Sequence, residues 1–278
     1  MVKRGVLASV QLDSEALLSI MRSLGIGSMP MDLELYSMAH FFGEQSELDS
    51  STLSRLRSGE LIDENGRIDP DLENWLRILE HPDITASAIS RINNRVRRVV
   101  IARRGPHHVV AMRIGNEILI QAIQCNSRNF EEVVAAPLWD SLRLSETLMD
   151  PPAARMNNIT WVSSLGDLKG NPSTLPIEIQ QAMETQGPTK EVLQELFGTN
   201  GQRAQIFIEQ RQKTDEMMCC PAVVLVADTR FGRVIMGTRK DRVNIVATLG
   251  GGSYKRFKSA IGDLIAMTPS QDWFSGAS

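Results

Sequence analysis

The sequence predicts an α+β fold: a central antiparallel β-sheet with helices packed on it and two halves related by a pseudo-two-fold. Three observations lead there. The runs Val99–Gly105, Val109–Val110 and Ile118–Ala122 recur as Val224–Arg230, Val234–Ile235 and Val243–Ala247, each pair 125 residues apart (224 − 99, 234 − 109 and 243 − 118). Each set is three β-rich runs separated by turn residues, which is the pattern of an antiparallel meander. Helical patterns flank both sets, an order typical of α+β chains. A duplicated meander points away from a nucleotide-binding α/β machine and towards a symmetric binding scaffold.

Taken in order, Gly5 to Leu12 reads as a short strand. Asp13 and Ser14 can cap a helix whose Leu17, Ile20, Met21 and Leu24 fall on one face, and Gly25 ends it. Met31 to Phe42 mixes apolar and acidic residues, and Ser46 to Ser58 has the composition of a polar helix. Pro70-Asp71 opens a clearer helix with the stripe Leu72, Trp75, Leu76 and Leu79. His81-Pro82 closes it, because a residue before proline avoids the helical region. Strands follow at 85–92, 97–104, 107–114 and 117–124, with Gly105-Pro106 and Gly115-Asn116 supplying turns. A helix bearing Phe130, Val133 and Val134 is expected to break at Pro137.

Asp150-Pro-Pro is the expected seam. It gives an N-terminal half, 1–150, with its meander over 85–124, and a C-terminal half, 151–278, with its meander over 204–249, the two forming one compact unit. The second half opens irregularly around Gly166, Gly170 and Pro172. Short helices are expected at Ile177–Glu184 and Thr189–Phe197, then a strand in which Ala204, Ile206 and Ile208 alternate with Gln205, Phe207 and Glu209. Gly250-Gly-Gly-Ser253 reads as a flexible turn and cap before a last helix with Phe257, Ile261, Leu264 and Ile265, which Pro269 stops.

The chain has 278 residues, 42% hydrophobic and 23% charged, with a net charge of −3. It is long enough for a substantial core. The lack of a basic surplus and the 5% aromatic content argue against a nucleic-acid partner. No apolar run reaches the roughly 20 residues needed to span a bilayer, and Asp13 and Glu15 come too early for a signal peptide. Cys125, Cys219 and Cys220 make no disulfide framework, so a reducing, cytoplasmic location is expected.

Candidate chemistry is sparse. His107 and His108 are adjacent on a strand, so they point to opposite faces and cannot share a metal. Cys219-Cys220 lacks a second cysteine pair and reads as packing at the entry to a strand. The glycines at 250–252 lack the residues of a phosphate loop. Arg97-Arg98 and Arg103-Arg104 read as charge on a solvated sheet edge. No nucleophile, base and oxyanion donor can be placed together, so neither enzyme chemistry nor any cofactor or metal is expected. A binding protein leads. The alternatives are a small-molecule-binding or enzymatic domain using His107, Asp228 or Cys220, and a structural subunit that self-associates through its sheet.

The alternation of the third meander strands separates two faces. Ile118, Ile120 and Ala122, with Val243, Ile245, Ala247 and Leu249, should pack under helices. The opposite face carries Glu117, Leu119, Gln121 and Ile123, with Arg242, Asn244, Val246 and Thr248, a mixture suited to meeting another protein.

The run Arg97-Arg-Val-Val-Ile-Ala-Arg-Arg-Gly-Pro-His-His-Val-Val-Ala-Met-Arg-Ile-Gly-Asn-Glu-Ile118 resembles the central cassette of the EspG family, the type VII (ESX) secretion-associated proteins of mycobacteria and their relatives. Pro82-Asp83 after the Leu-rich helix, and the ending with Leu264-Ile265, Pro269 and Trp273, resemble the family too. The likeness is strong over 72–124, weaker over 204–274 and only topological over 26–70 and 150–200. It implies a cytosolic chaperone that binds PE–PPE heterodimers at the tip of the PPE subunit and keeps them soluble for ESX export. The family's central sheet and C-terminal helices form its binding surface, and it brings no catalytic residue. Two departures stand out: the loop before Arg97 is only Asn93 to Val96, and 26–70 has no clear counterpart. On this reading Leu119, Gln121, Asn244 and Val246 line a patch for the PPE tip, flanked by Arg113 and Arg242.

Overall fold

Asp13 ends the first strand and starts the first helix. In the computed structural model, β1 spans Ser9–Asp13 and α1 spans Ser14–Ser23. The Asp13 carboxylate accepts the Ala16 N–H at 2.8 Å, satisfying one of the donors a helix start leaves open. Leu17, Ile20 and Met21 are buried, and Gly25 turns the chain at a φ of +66°. The structure describes residues 8–35, 54, 56–59, 61–92, 95–125, 128–142, 152–163, 175–197, 202–242 and 244–275. Much of the polar helix expected over 46–58, the seam at Asp150 and the stretch around Gly166 and Gly170 lie outside them.

A short 3-10 turn at Met31–Leu33 precedes α2, Pro70–Glu80. Asp69 caps α2 by accepting the N–H groups of Asp71 (2.9 Å) and Leu72 (3.3 Å), and Leu72, Trp75, Leu76 and Leu79 are all buried as the stripe predicts. The first meander follows as β2 (Ile84–Ile92), β3 (Arg95–Arg104), β4 (His107–Ile114) and β5 (Glu117–Ile123).

The helix after the meander does not break at Pro137. Glu131–Ala135 forms a π-helical turn that runs straight into α3, Ala136–Ser141. Proline lacks an N–H and its ring crowds the carbonyl four residues back, and a widened turn placed just ahead of it lets the helix pass through. The second half contains β6 (Ile159–Ser163), α4 (Ile177–Glu184) and α5 (Pro188–Leu196). It continues with β7 (Gln202–Arg211), β8 (Met217–Cys219), β9 (Val224–Thr229), β10 (Gly232–Asp241), β11 (Asn244–Gly251) and α6 (Tyr254–Ile265). The glycines before α6 are not a flexible turn. Gly250 and Gly251 belong to β11, and a Cβ on Gly251 would lie 2.4 Å from the Ala154 carbonyl oxygen, so close backbone approach is what excludes a side chain. Ser253 caps α6, as expected, by accepting the Arg256 N–H at 3.3 Å.

Among the described residues, eleven strands join one sheet in the order β1-β5-β4-β3-β2-β7-β9-β10-β11-β6, with β8 added on β7. Every pairing along that order is antiparallel. The order reads the same from either end once β1 is matched with β6, β5 with β11, β4 with β10, β3 with β9 and β2 with β7. The pseudo-two-fold passes through the β2–β7 pairing, near where Ala88 faces Ile206.

The register carries the repeat through two strands and then shifts. Arg103 stands opposite His108, and Asp228 opposite Arg233, both displaced by 125 (228 − 103 and 233 − 108). In the third strand, Ile118 faces Arg113 while Ala247 faces Thr238, so Ala247 and not Val243 is the counterpart of Ile118. The second hairpin runs on to Asp241 before turning at Arg242, where the first turns at Gly115-Asn116. The shift is four residues (247 − 243), an even number, so every side chain keeps its face.

Three buried clusters hold the layers together. On one face, Ala86, Ala88, Val99, Ile101, Ala204, Ile206, Val224 and Val226 pack centrally beneath the π-helical turn, α3 and α6 through Val133, Val134, Leu138, Phe257, Ile261 and Leu264. On the other face the core divides. Val100, Ala102, Val109, Ala111, Ile118 and Ile120 meet α1 and α2, while Ala227, Val234, Met236, Ala247 and Leu249 meet α4 and α5. Val100, Ala102, Val109 and Ala111 have Leu225, Ala227, Val234 and Met236 as counterparts at the same offset of 125 (225 − 100, 227 − 102, 234 − 109 and 236 − 111).

Candidate interaction surface

The faces of the third meander strands fall as the alternation predicts, except that the half-buried Ile245 packs with the cluster under α3 and α6 and not with Ala247 and Leu249; Val243 lies outside the described residues. Ile118, Ile120, Ala247 and Leu249 are buried under helices. Leu119, Val246 and Thr248 are half-buried, and Gln121 and Asn244 are exposed, on the face that carries α3 and α6. The structure does not bring these residues into one patch. β5 and β11 are seven strand steps apart in the sheet, about 33 Å at ~4.8 Å a step. Leu119 and Gln121 stand on one wing; Asn244, Val246 and Arg242, at the β10–β11 turn with a φ of +55°, stand on the other.

Arg113 belongs to the opposite face, in line with Val109 and Ala111. Its Nη1 donates to the Leu33 carbonyl at 2.9 Å and to that of Glu34, and its Nε donates to Gly115 at 2.8 Å. It fastens the 3-10 turn to the sheet. Arg98 does the same through an ion pair with Glu34 at 2.5 Å. Asp32 in that turn accepts from the Ser87 hydroxyl at 2.6 Å, and burial raises its pKa against the opposing pull of Ser87 and Arg98.

The second-half wing carries a neighbour that the strand reading left out. β6 pairs with β11 so that Val162 faces Val246, and Val162 is 64% exposed. Beside them the Thr160 and Thr248 hydroxyls meet at 3.1 Å, and Trp161 and Ile159 point the other way into the core. The in–out alternation of Ile159, Thr160, Trp161 and Val162 was the available signal, hidden by the irregular sequence on either side. The exposed Val162 and the half-buried Val246 beside it, framed by threonines, make an apolar anchor with a polar border.

The charged pairs of β3 are not edge decoration, because β1 and β6 take the edges and β3 lies inside the sheet. Arg103 is buried, pairs with Asp83 at 3.3 Å and donates to the Ser275 carbonyl at 2.8 Å. Its cross-strand partner His108 is 5% exposed and accepts the Trp273 indole N–H on Nε2 at 3.1 Å. Burial, then the Arg103 charge, lowers the His108 pKa to about 4 against the Pro106 carbonyl's hydrogen bond, with His107 adding a little repulsion. A neutral ring is what the indole contact requires.

The equivalent place in the second half holds Asp228 and Arg233. Their bidentate pair, at 2.7 and 2.9 Å, is buried; Arg233 also donates to the Leu142 carbonyl at 3.1 Å and lies 4.6 Å from the Trp139 ring centre. Each half therefore sends its trailing segment across the molecule: Trp139 and Leu142 rest on Arg233, and Trp273 and Ser275 rest on His108 and Arg103.

The residues proposed for small-molecule chemistry are dispersed. His107 is exposed at the β3–β4 turn, Asp228 is committed to Arg233, and Cys220 is buried with Sγ 3.7 Å from the Leu264 carbonyl. Burial pushes the Cys219 thiol up to about 11, with Glu209, Cys220 and Asp32 adding to it, and burial raises Cys220 as well. Neither is a thiolate nucleophile at neutral pH. Among the described residues no group of three His, Cys, Asp or Glu side chains is placed to hold a metal ion, and no helix is long and apolar enough to cross a membrane.

Comparison with known proteins adds two findings. The model of the EspG family matches residues 13–263. A solved structure, that of the type VII secretion system chaperone EspG5 of Mycobacterium tuberculosis in complex with the PE25–PPE41 dimer, is similar with a TM-score of 0.74 and 16% sequence identity. The similarity covers 97% of this chain and 100% of that one. No curated protein sequence matches the chain.

Proposed function

Since the chain belongs to the EspG family, we propose that it is a cytosolic chaperone that binds a PE–PPE heterodimer at the PPE subunit and holds it soluble for delivery to the type VII (ESX) secretion machinery. The observation that carries this reading is the family match over residues 13–263, which takes in both meanders and most of α6. The likeness in fold over nearly the whole chain to a chaperone solved with its PE–PPE dimer supports it. The dispersal of His107, Asp228 and Cys220 supports a binding role over a catalytic one.

The client surface we assign is the exposed sheet face at the second-half wing, with Val246 and Val162 as the apolar centre and Arg242 and Asn244 on the rim. Leu119 and Gln121 are reached only by a client that spans the sheet. A binding surface of this kind concentrates its energy in a few buried anchors within a polar border. The decisive experiment is co-expression of the tagged full chain with PE–PPE pairs, followed by pull-down and size-exclusion chromatography. The expected result is a stoichiometric three-protein complex with at least one pair, and more soluble PPE protein in the presence of the chain. No bound pair, and PPE protein as insoluble with the chain as without it, would refute the reading.

A further inference from the structure

Where the β7–β8 hairpin, the β10–β11 turn and the turn after α6 meet, the surface opens into a groove of about 800 Å³. Lys213, Lys240 and Arg242 line it with the half-buried Met218 and Met267, and no carboxylate does. Among the described residues these three cations form no ion pair. Arg98, Arg211, Arg233 and Lys258, by contrast, each have a carboxylate partner, in Glu34, Asp215, Asp228 and Glu131. In a chain whose net charge is −3, a concavity lined by three cations and no acid is a local excess of positive charge.

We propose that this groove docks an acidic peptide segment of a partner protein, a segment that also carries an apolar side chain to sit against the two methionines. The cations come from separate hairpins, Lys213 from one and Lys240 and Arg242 from the other, so they suit carboxylates spread along a chain better than a single phosphate. The nearby helix α6 presents its C-terminal end, which offers no cradle of N–H groups for a phosphate. Methionine adapts its shape to varied apolar partners. Unpaired rim charges chiefly accelerate association and select the partner's sign. The groove shares Arg242 with the rim of the assigned client surface, but the inference requires only an acidic partner and no PE–PPE protein, so the peptide test can succeed or fail without the pull-down doing so.

The test uses the full chain and a short fluorescein-labelled peptide of alternating glutamate and leucine pairs, followed by fluorescence anisotropy at low and physiological salt. A peptide with lysine in place of glutamate, phosphatidylglycerol vesicles and duplex DNA are run beside it. The glutamate peptide should bind, weaken with salt as exposed charge contacts do, and lose about tenfold or more in affinity in the triple variant Lys213→Glu, Lys240→Glu, Arg242→Glu. Met218→Ser should weaken it several-fold. The melting temperature of the triple variant is measured in parallel, and the single variants Lys213→Ala and Lys240→Ala keep the test readable should the triple variant fail to fold. Undiminished binding by the variants, no binding of the glutamate peptide, equal binding of the lysine peptide, or a preference of the same three residues for vesicles or DNA would each overturn the proposal.

Discussion

Acid should weaken this protein through one histidine, by an amount that the structure sets. His108 is buried, accepts the Trp273 N–H, and has its pKa held at about 4 in place of 6.5 by burial and by Arg103. Above pH 6.5 the ring is neutral whether the chain is folded or not, and its contribution is complete. Below 6.5 the unfolded chain takes up a proton that the folded chain refuses, so stability falls until the pH reaches about 4. At about 1.36 kcal/mol per pH unit, the loss is about 2 kcal/mol at pH 5 and about 3 kcal/mol at pH 4. Urea unfolding of the native chain and of His108→Gln, followed from pH 7.5 to 4.5, isolates this contribution. The glutamine carbonyl can still accept the indole N–H but does not titrate. Its variant should start about 1–2 kcal/mol less stable at neutral pH from imperfect packing, and the gap should close or reverse by pH 5. Carboxylates whose pKa is lowered, such as Asp272 through its Ser275 hydrogen bond, lose stability with acid in both proteins and cancel in the difference. A gap that stays constant across the range would show that His108 does not set the acid response.

Three further outcomes follow from the geometry. Val246→Asp should cost about 2 kcal/mol or more of client binding in a pull-down titration while shifting the melting temperature little; undiminished binding would move the interface elsewhere, and lost folding would mean the face is wrongly assigned. Asp228→Asn leaves Arg233 buried without its counter-charge, and chemical denaturation should report a loss of about 3–5 kcal/mol; a loss under about 1 kcal/mol would show that water or rearrangement replaces the pair. Residues 1–150 and 151–278 expressed separately should show no cooperative melt, because β2 and β7 are each buried by the other and the Trp139 and Trp273 segments rest on the opposite half; a two-state transition in either fragment alone would refute that.

Much of the fold could be read locally. The α2 stripe, its Pro70 start and His81-Pro82 end, the Ser253 cap and the turns at Gly105 and Gly115 all depend on neighbours within a few residues. What could not be read depends on distant partners. Nothing near Arg97 to Arg104 reveals that β3 lies inside a sheet, or that Arg103 meets Asp83 and the backbone of Ser275. The passage of the helix through Pro137 required a π-turn that no periodicity announces. The third-strand register slipped because the two hairpins differ in length, which the constant spacing of apolar runs concealed. At the candidate surface the same division holds. Alternation placed Leu119 and Val246 on the right face, since parity is local, but their separation is set by a strand order that only the complete sheet defines.

The central β2–β7 pairing has a consequence for synthesis. β2 is complete at Ile92, but its partner is not complete until Arg211, 119 residues later (211 − 92). At about 5–20 residues per second, that leaves roughly 6–24 s in which the nascent chain displays a nine-residue strand with an unpaired edge. The first meander therefore waits on the ribosome in an aggregation-prone form until translation of the second half brings β7 to close it.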